Sequence, residues 1–240
     1  MRLEYPQKPN GMYFLKKEDF ETIATMLLKE YCPNALMAPM AVDLVDIAEE
    51  KIGLTIRNDY LSHDNSILGL TAFAYIPDHP GYDRDLNPTT FELSAGSVVL
   101  NRGLACASDL TRKRFTLAHE ISHWVLHRSY HSPINQQYQF RQQKQGFVAC
   151  RTERIESAPR TLVTDNDWEE WQADMLAAAL LMPQDTFLRF IYHVLDVKIT
   201  RSFQKIDPQL YKYVLEQISK RFQVSRKAAD IRLRTLNLAI

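Results

Sequence analysis

Two histidines four residues apart, His119 and His123, with a glutamate directly after the first, constrain this chain more than any other feature. On a helix, residues four apart project from one face about a turn from each other. Two imidazoles so placed can share one tetrahedral zinc ion. Glu120 then lies beside the ion, where a carboxylate can take a proton from water that the cation has acidified. Phe115, Leu117, Ala118, Ile121, Val125 and Leu126 make this helix apolar, so the histidines sit within a surface that is otherwise core. Core histidines satisfied by hydrogen bonds are the competing explanation, but they seldom come with a glutamate at this spacing.

A catalytic zinc site takes a third protein ligand and keeps one position open. A glycine and a further histidine downstream, the metzincin pattern, are absent: Leu126 and Ser129 stand there. His127 is one turn further along the same face, but three ligands on one straight helix cannot converge on one ion. It is better read as orienting a ligand from outside. The helix expected over 166–182 offers a carboxylate instead. Glu170 is the favoured ligand and Glu169 the competitor, with a merely helix-favouring role for both as the bland alternative. Asp174, a turn beyond Glu170, is placed to hydrogen-bond a ligand histidine. Ala173, Ala177 and Ala178 let the two helices approach closely. For an oxyanion donor the sequence leaves Tyr130, His131, Tyr192 and His193 open.

The run Arg114-Phe115-Thr116-Leu117-Ala118-His119-Glu120-Ile121-Ser122-His123, with Leu126-His127 after it, resembles the ImmA/IrrE family of metallopeptidases. So do Val98-Val99-Leu100-Asn101 and the segment from Glu170 through Ala173, Asp174, Ala177, Ala178 and Leu180 to Pro183. The family often has Gly where Ser122 stands and Phe where Leu176 stands, and neither departure touches a ligand. The resemblance implies a mostly helical α+β, zincin-like peptidase with a small sheet before the histidine helix. It implies zinc on His119, His123 and Glu170, with Glu120 as general base. It also implies a substrate that is a helix-turn-helix transcriptional repressor.

The chain divides in expectation into a helical segment 1–34, a metallopeptidase domain 35–185, and a helical subdomain 186–240. Residues 129–164 are read as an insertion and candidate lid. Helical periodicity marks 18–31 and 41–52, with Gly53 as the stop, and short strands are expected near 54–56, 67–76 and 97–101. The stretch 77–88 reads as turns. Further helices are expected at 184–196, 208–222 and 225–236. The last two, joined through Val224-Ser225, resemble a helix-turn-helix with Ile218 and Val224 in its core and Lys212, Lys220, Arg221, Arg226, Lys227, Arg232 and Arg234 about it. A solvated basic face outweighs DNA binding there, because 29 cations balance 29 anions over the whole chain.

Three scattered cysteines, Cys32, Cys106 and Cys150, make no disulfide framework and suit a reducing compartment. With neither a leader nor a spanning stretch evident, a cytoplasmic protein is expected. Cys150 reads as a free structural cysteine, with a thiolate occupying the zinc as the lesser alternative. A zinc endopeptidase is the leading functional reading. A zinc-stabilised, non-catalytic repressor-binding or DNA-binding protein is the alternative, and the retained Glu120 argues against it.

Overall fold

The computed structural model describes residues 3–105, 110–132, 146–151, 162–196 and 205–238. Helix α1 is Lys17–Tyr31, α2 Asn34–Met37 and α3 Leu44–Asp46, the last continuing as a π-turn through Ile47–Ile52. Gly53 stops that turn in the left-handed region at φ 79°, where a Cβ would be strained. Helix α4 is Leu110–His127, α5 Asp165–Leu181, α6 Gln184–Val194, α7 Pro208–Phe222 and α8 Arg226–Thr235. The strands are β1 Thr55–Asp59, β2 Ile67–Ala72, β3 Ile76–Tyr82, β4 Pro88–Leu93, β5 Ser97–Asn101 and β6 Phe147–Arg151. The α+β expectation therefore holds, with helices predominating and a small mixed sheet ahead of most of them.

The chain forms two compact units. One comprises Met1–Phe20 and Leu44–Ala177, the other Glu21–Asp43 and Ala178–Ile240. In the first, four strands lie in the order β1-β5-β2-β6. β1 and β5 run parallel, while β2 is antiparallel to both of its neighbours. Leu61, Leu70, Ala72, Leu93 and Val99 form a buried cluster on this sheet, joined by Ile67, Ile76, Phe91 and Phe147. Helix α4 packs on β2, β5 and β6.

Two segments depart from expectation. The stretch 77–88 is largely strand, since β3 pairs antiparallel with β4 in a separate two-stranded sheet. Pro77, Pro80 and Pro88 are tolerated because a two-stranded sheet leaves each strand an edge that needs no donor. Within 129–164, β6 joins the edge of the main sheet beside β2. Most of that proposed lid lies outside the described residues, as does Cys106.

The helix signals hold where they are local. Thr164 and Asp167 cap α5 reciprocally, Asp167 N–H donating to Thr164 Oγ1 at 3.1 Å and Thr164 N–H to Asp167 Oδ2 at 2.9 Å. Ser225 accepts from Ala228 N–H at 3.1 Å and caps α8. In the second unit, Ile218, Phe222, Val224, Ala229 and Leu233 are buried between α7 and α8. Phe187 and Phe190 of α6 pack on Phe222. Arg232 is not part of a solvated basic face. It is buried, forked onto Glu21 at 2.5 and 2.8 Å, and donates twice to the Met182 carbonyl.

Candidate metal centre

Helix α4 buries His119, Glu120 and His123 completely or nearly so, because the turn that carries them lies against β2. Strand β2 permits this through Gly69, whose absent Cβ would fall 2.6 Å from both Glu120 Oε1 and Thr116 Cγ2. Two residues along, Thr71 Oγ1–H donates to Glu120 Oε2 at 2.6 Å. Glu120 Oε1 is buried with no hydrogen-bond partner among the described residues. Burial pushes the Glu120 carboxyl up to about 8, against the opposing pull of His119 and the Thr71 hydroxyl.

The ring nitrogens can be assigned in sequence. Gln172 Nε2–H donates to the Tyr13 carbonyl at 2.8 Å, which turns its Oε1 towards His127 Nε2 at 3.1 Å. His127 Nε2 must therefore carry the proton. Burial drives the His127 pKa down to about 4, so the ring is neutral and its Nδ1 is an acceptor. His123 Nδ1, 3.0 Å away, is then the donor. On the other ligand candidate, His119 Nδ1–H donates to Asp174 Oδ1 at 2.9 Å. Both Nδ1 positions are thus used as donors, and the two Nε2 atoms face each other at 2.9 Å.

Glu170 completes the group. Its Oε2 lies 3.6 Å from His119 Nε2 and its Oε1 3.8 Å from His123 Nε2, all of it buried. Two imidazole nitrogens and a carboxylate crowded into a dry pocket repel one another unless something positive sits among them. Although burial alone would lower the His119 pKa, Cys150, Asp174 and Glu170 together hold it well above the ordinary value. A donor set of this kind suits zinc, and its members lie within 4.8 Å of one another.

The sequence-predicted residues are placed as follows. His119, His123 and Glu170 come together, with Glu120 beside them, Asp174 on His119 and His127 on His123. Glu169 is drawn elsewhere, its Oε1 in a short contact with His131 Nε2. Tyr130 and His131 line a cleft of about 1090 Å³ together with Glu169, Glu170, His79 and Tyr82. His131 stacks on Phe73 at 4.3 Å. Tyr192 and His193 belong to the second unit. Sequence reasoning missed Thr71, Gly69 and Gln172. Gln172 alone left a trace, three residues after Glu169 on a helix already facing the histidines.

Residues 146–234 match a peptidase family model described as the IrrE N-terminal-like domain. The resemblance to the ImmA/IrrE family holds. The matched stretch takes in β6, Glu169, Glu170, Gln172 and Asp174 on α5, and α6 to α8 up to Arg234, and it begins after the His119–His123 helix. A comparison with curated proteins finds no match. The matched family is one of peptidases, and a histidine–carboxylate cluster able to hold a divalent metal is present among the described residues. No helix among the described residues is long and apolar enough to cross a membrane.

Proposed function

We propose that the chain is a zinc-dependent endopeptidase in which His119, His123 and Glu170 hold the ion and Glu120 moves the proton. One observation carries this reading. Two imidazole Nε2 atoms and a buried carboxylate converge at one point immediately beside a buried glutamate. Zinc, when bound, supplies a Lewis acid for the scissile carbonyl and acidifies the water it holds. Thr71 fixes Glu120 Oε2, so Oε1 is the oxygen that takes the proton from the attacking water and returns it to the leaving amine. Asp174 and His127 act as positioning residues, each holding a ligand ring in the tautomer that presents Nε2.

The substrate in this reading is a helix-turn-helix repressor in the cytoplasm, an inference that rests on the resemblance. The cleft beside Glu170 provides room for an extended segment of such a protein. A DNA-binding role for residues 208–238 is not favoured, since Arg232 is buried on Glu21 while Lys220 and Arg234 pair with Glu216 and Asp230. The test is co-expression with a repressor encoded beside the gene, comparing wild type with Glu120→Gln. Cleavage by wild type alone, with equal zinc content in both purified proteins, is the expected result. Equal cleavage by both would sink the proposal.

A further inference from the structure

Strand β6 pairs with β2 in a register that sets Cys150 opposite Gly69. Directly paired residues of antiparallel strands point their side chains to the same face of the sheet. At Gly69 that face is the one turned to Glu120 and Thr116, as the direction of its missing Cβ shows. Cys150 therefore points at the same turn of α4, and no side chain of Gly69 competes for that space. Its Sγ, a ring nitrogen of His119 and a carboxylate oxygen of Glu120 lie within 4.8 Å of one another. The thiol is buried to 1% exposure. The orphaned Glu120 Oε1 is buried in the same cluster.

We infer that Cys150 is a fourth protein ligand that closes the metal centre in the resting protein. This rests on the reading that His119, His123 and Glu170 hold the ion. Two neutral imidazoles, one carboxylate and one thiolate balance a divalent cation completely, which a dry site favours over a set that leaves net charge. The thiol releases its proton to solvent as it binds. Four protein ligands leave no place for water or for a scissile carbonyl, so a centre closed by Cys150 is held inactive. Cys150 is carried on an edge strand of the sheet, within the segment read from sequence as an insertion, so the closing ligand can withdraw without dismantling α4 or α5. Productive substrate binding then requires Cys150 to leave the ion.

The test substitutes cobalt for the native metal in the full chain and reads its near-ultraviolet spectrum. Wild type is expected to show a thiolate-to-cobalt charge-transfer band. A Cys32→Ser/Cys106→Ser variant should keep that band, and Cys150→Ser should lose it while still binding one cobalt. Cys150→Ser and Cys150→Ala should also bind cobalt more weakly, by at least the roughly 10-fold that loss of an outer partner costs. Both should cleave faster than wild type. Stoichiometric cobalt in wild type with no such band overturns the role of Cys150 and leaves the three-ligand reading standing. Failure of wild type to bind cobalt at all overturns both.

Discussion

The contact between β2 and α4 can be probed with a single methyl group. Gly69 does not occupy the left-handed region, so alanine meets no backbone strain there. With space available, the substitution would stabilise the strand by about 0.4–1 kcal/mol through the unfolded state alone. The structure reverses that sign. The new Cβ would fall 2.6 Å from Glu120 Oε1 and from Thr116 Cγ2, roughly 1 Å inside the ordinary carbon contact distance. Thr116 is fully buried and stiff about its β-branch, so the Glu120 carboxylate is the group that gives way. Overpacking of this kind costs about 1–3 kcal/mol, or some 2–12 °C in Tm for a chain of this size. Displacing the base by about 1 Å costs on the order of 100-fold in rate. Gly69→Ala should therefore lower Tm by calorimetry and lower cleavage far more than the loss of folded protein explains. Gly53→Ala is the control, since its Cβ meets nothing within 4 Å and it changes only the backbone at φ +79°. A Gly69→Ala protein with raised Tm and full activity would refute the packing of α4 on β2.

Three further outcomes follow from the same geometry. In metal-stripped protein, Glu120 has a folded pKa of about 8 against 4.5 unfolded, so the unfolded carboxyl ionises first and wild type loses stability as pH rises from about 4.5 to 8. Denaturation of wild type and Glu120→Gln with chelator present should agree near pH 4 and separate in favour of Glu120→Gln by about 3 kcal/mol near pH 7; parallel curves would refute the buried neutral carboxyl. His127→Phe deprives His123 Nδ1 of its acceptor and should weaken zinc binding by about 10–100-fold in chelator competition, whereas unchanged affinity would show the Gln172–His127–His123 relay to be idle. Glu21→Ala leaves the buried Arg232 guanidinium without its counter-charge and should cost about 3–5 kcal/mol by urea denaturation, a value under 1 kcal/mol contradicting that pair.

What the sequence disclosed was what neighbours in sequence decide. The spacing of His119 and His123 and the stop at Gly53 are settled within one or two turns of chain, so residue types alone reveal them. What it hid depends on distant pairing. Arg232 counted as a solvated cation because its partner, Glu21, is 211 residues away. Strand β6 lay within a polar stretch, and only its register on β2 turns Cys150 towards His119. The β3–β4 ribbon was masked by Pro77, Pro80 and Gly81, residues that disqualify a central strand but not one with a free edge. Thr71 had no signal at all, since its bond to Glu120 spans 49 residues.

The histidines of α4 and the turn after it show why spacing alone could not finish the assignment. His119, His123, His127 and His131 repeat every four residues. Helix α5 distinguishes them. Each meets a different α5 side chain: Asp174 takes His119, Glu170 faces His119 and His123, Gln172 takes His127, and Glu169 takes His131. An amide opposite His127 fixes a proton on its outer nitrogen and turns the ring into an acceptor for His123, which removes it from competition for the ion. A carboxylate between His119 and His123 has the opposite effect, adding negative charge where two lone pairs already converge. The third ligand is thus chosen by which α5 side chain is charged and which is merely polar.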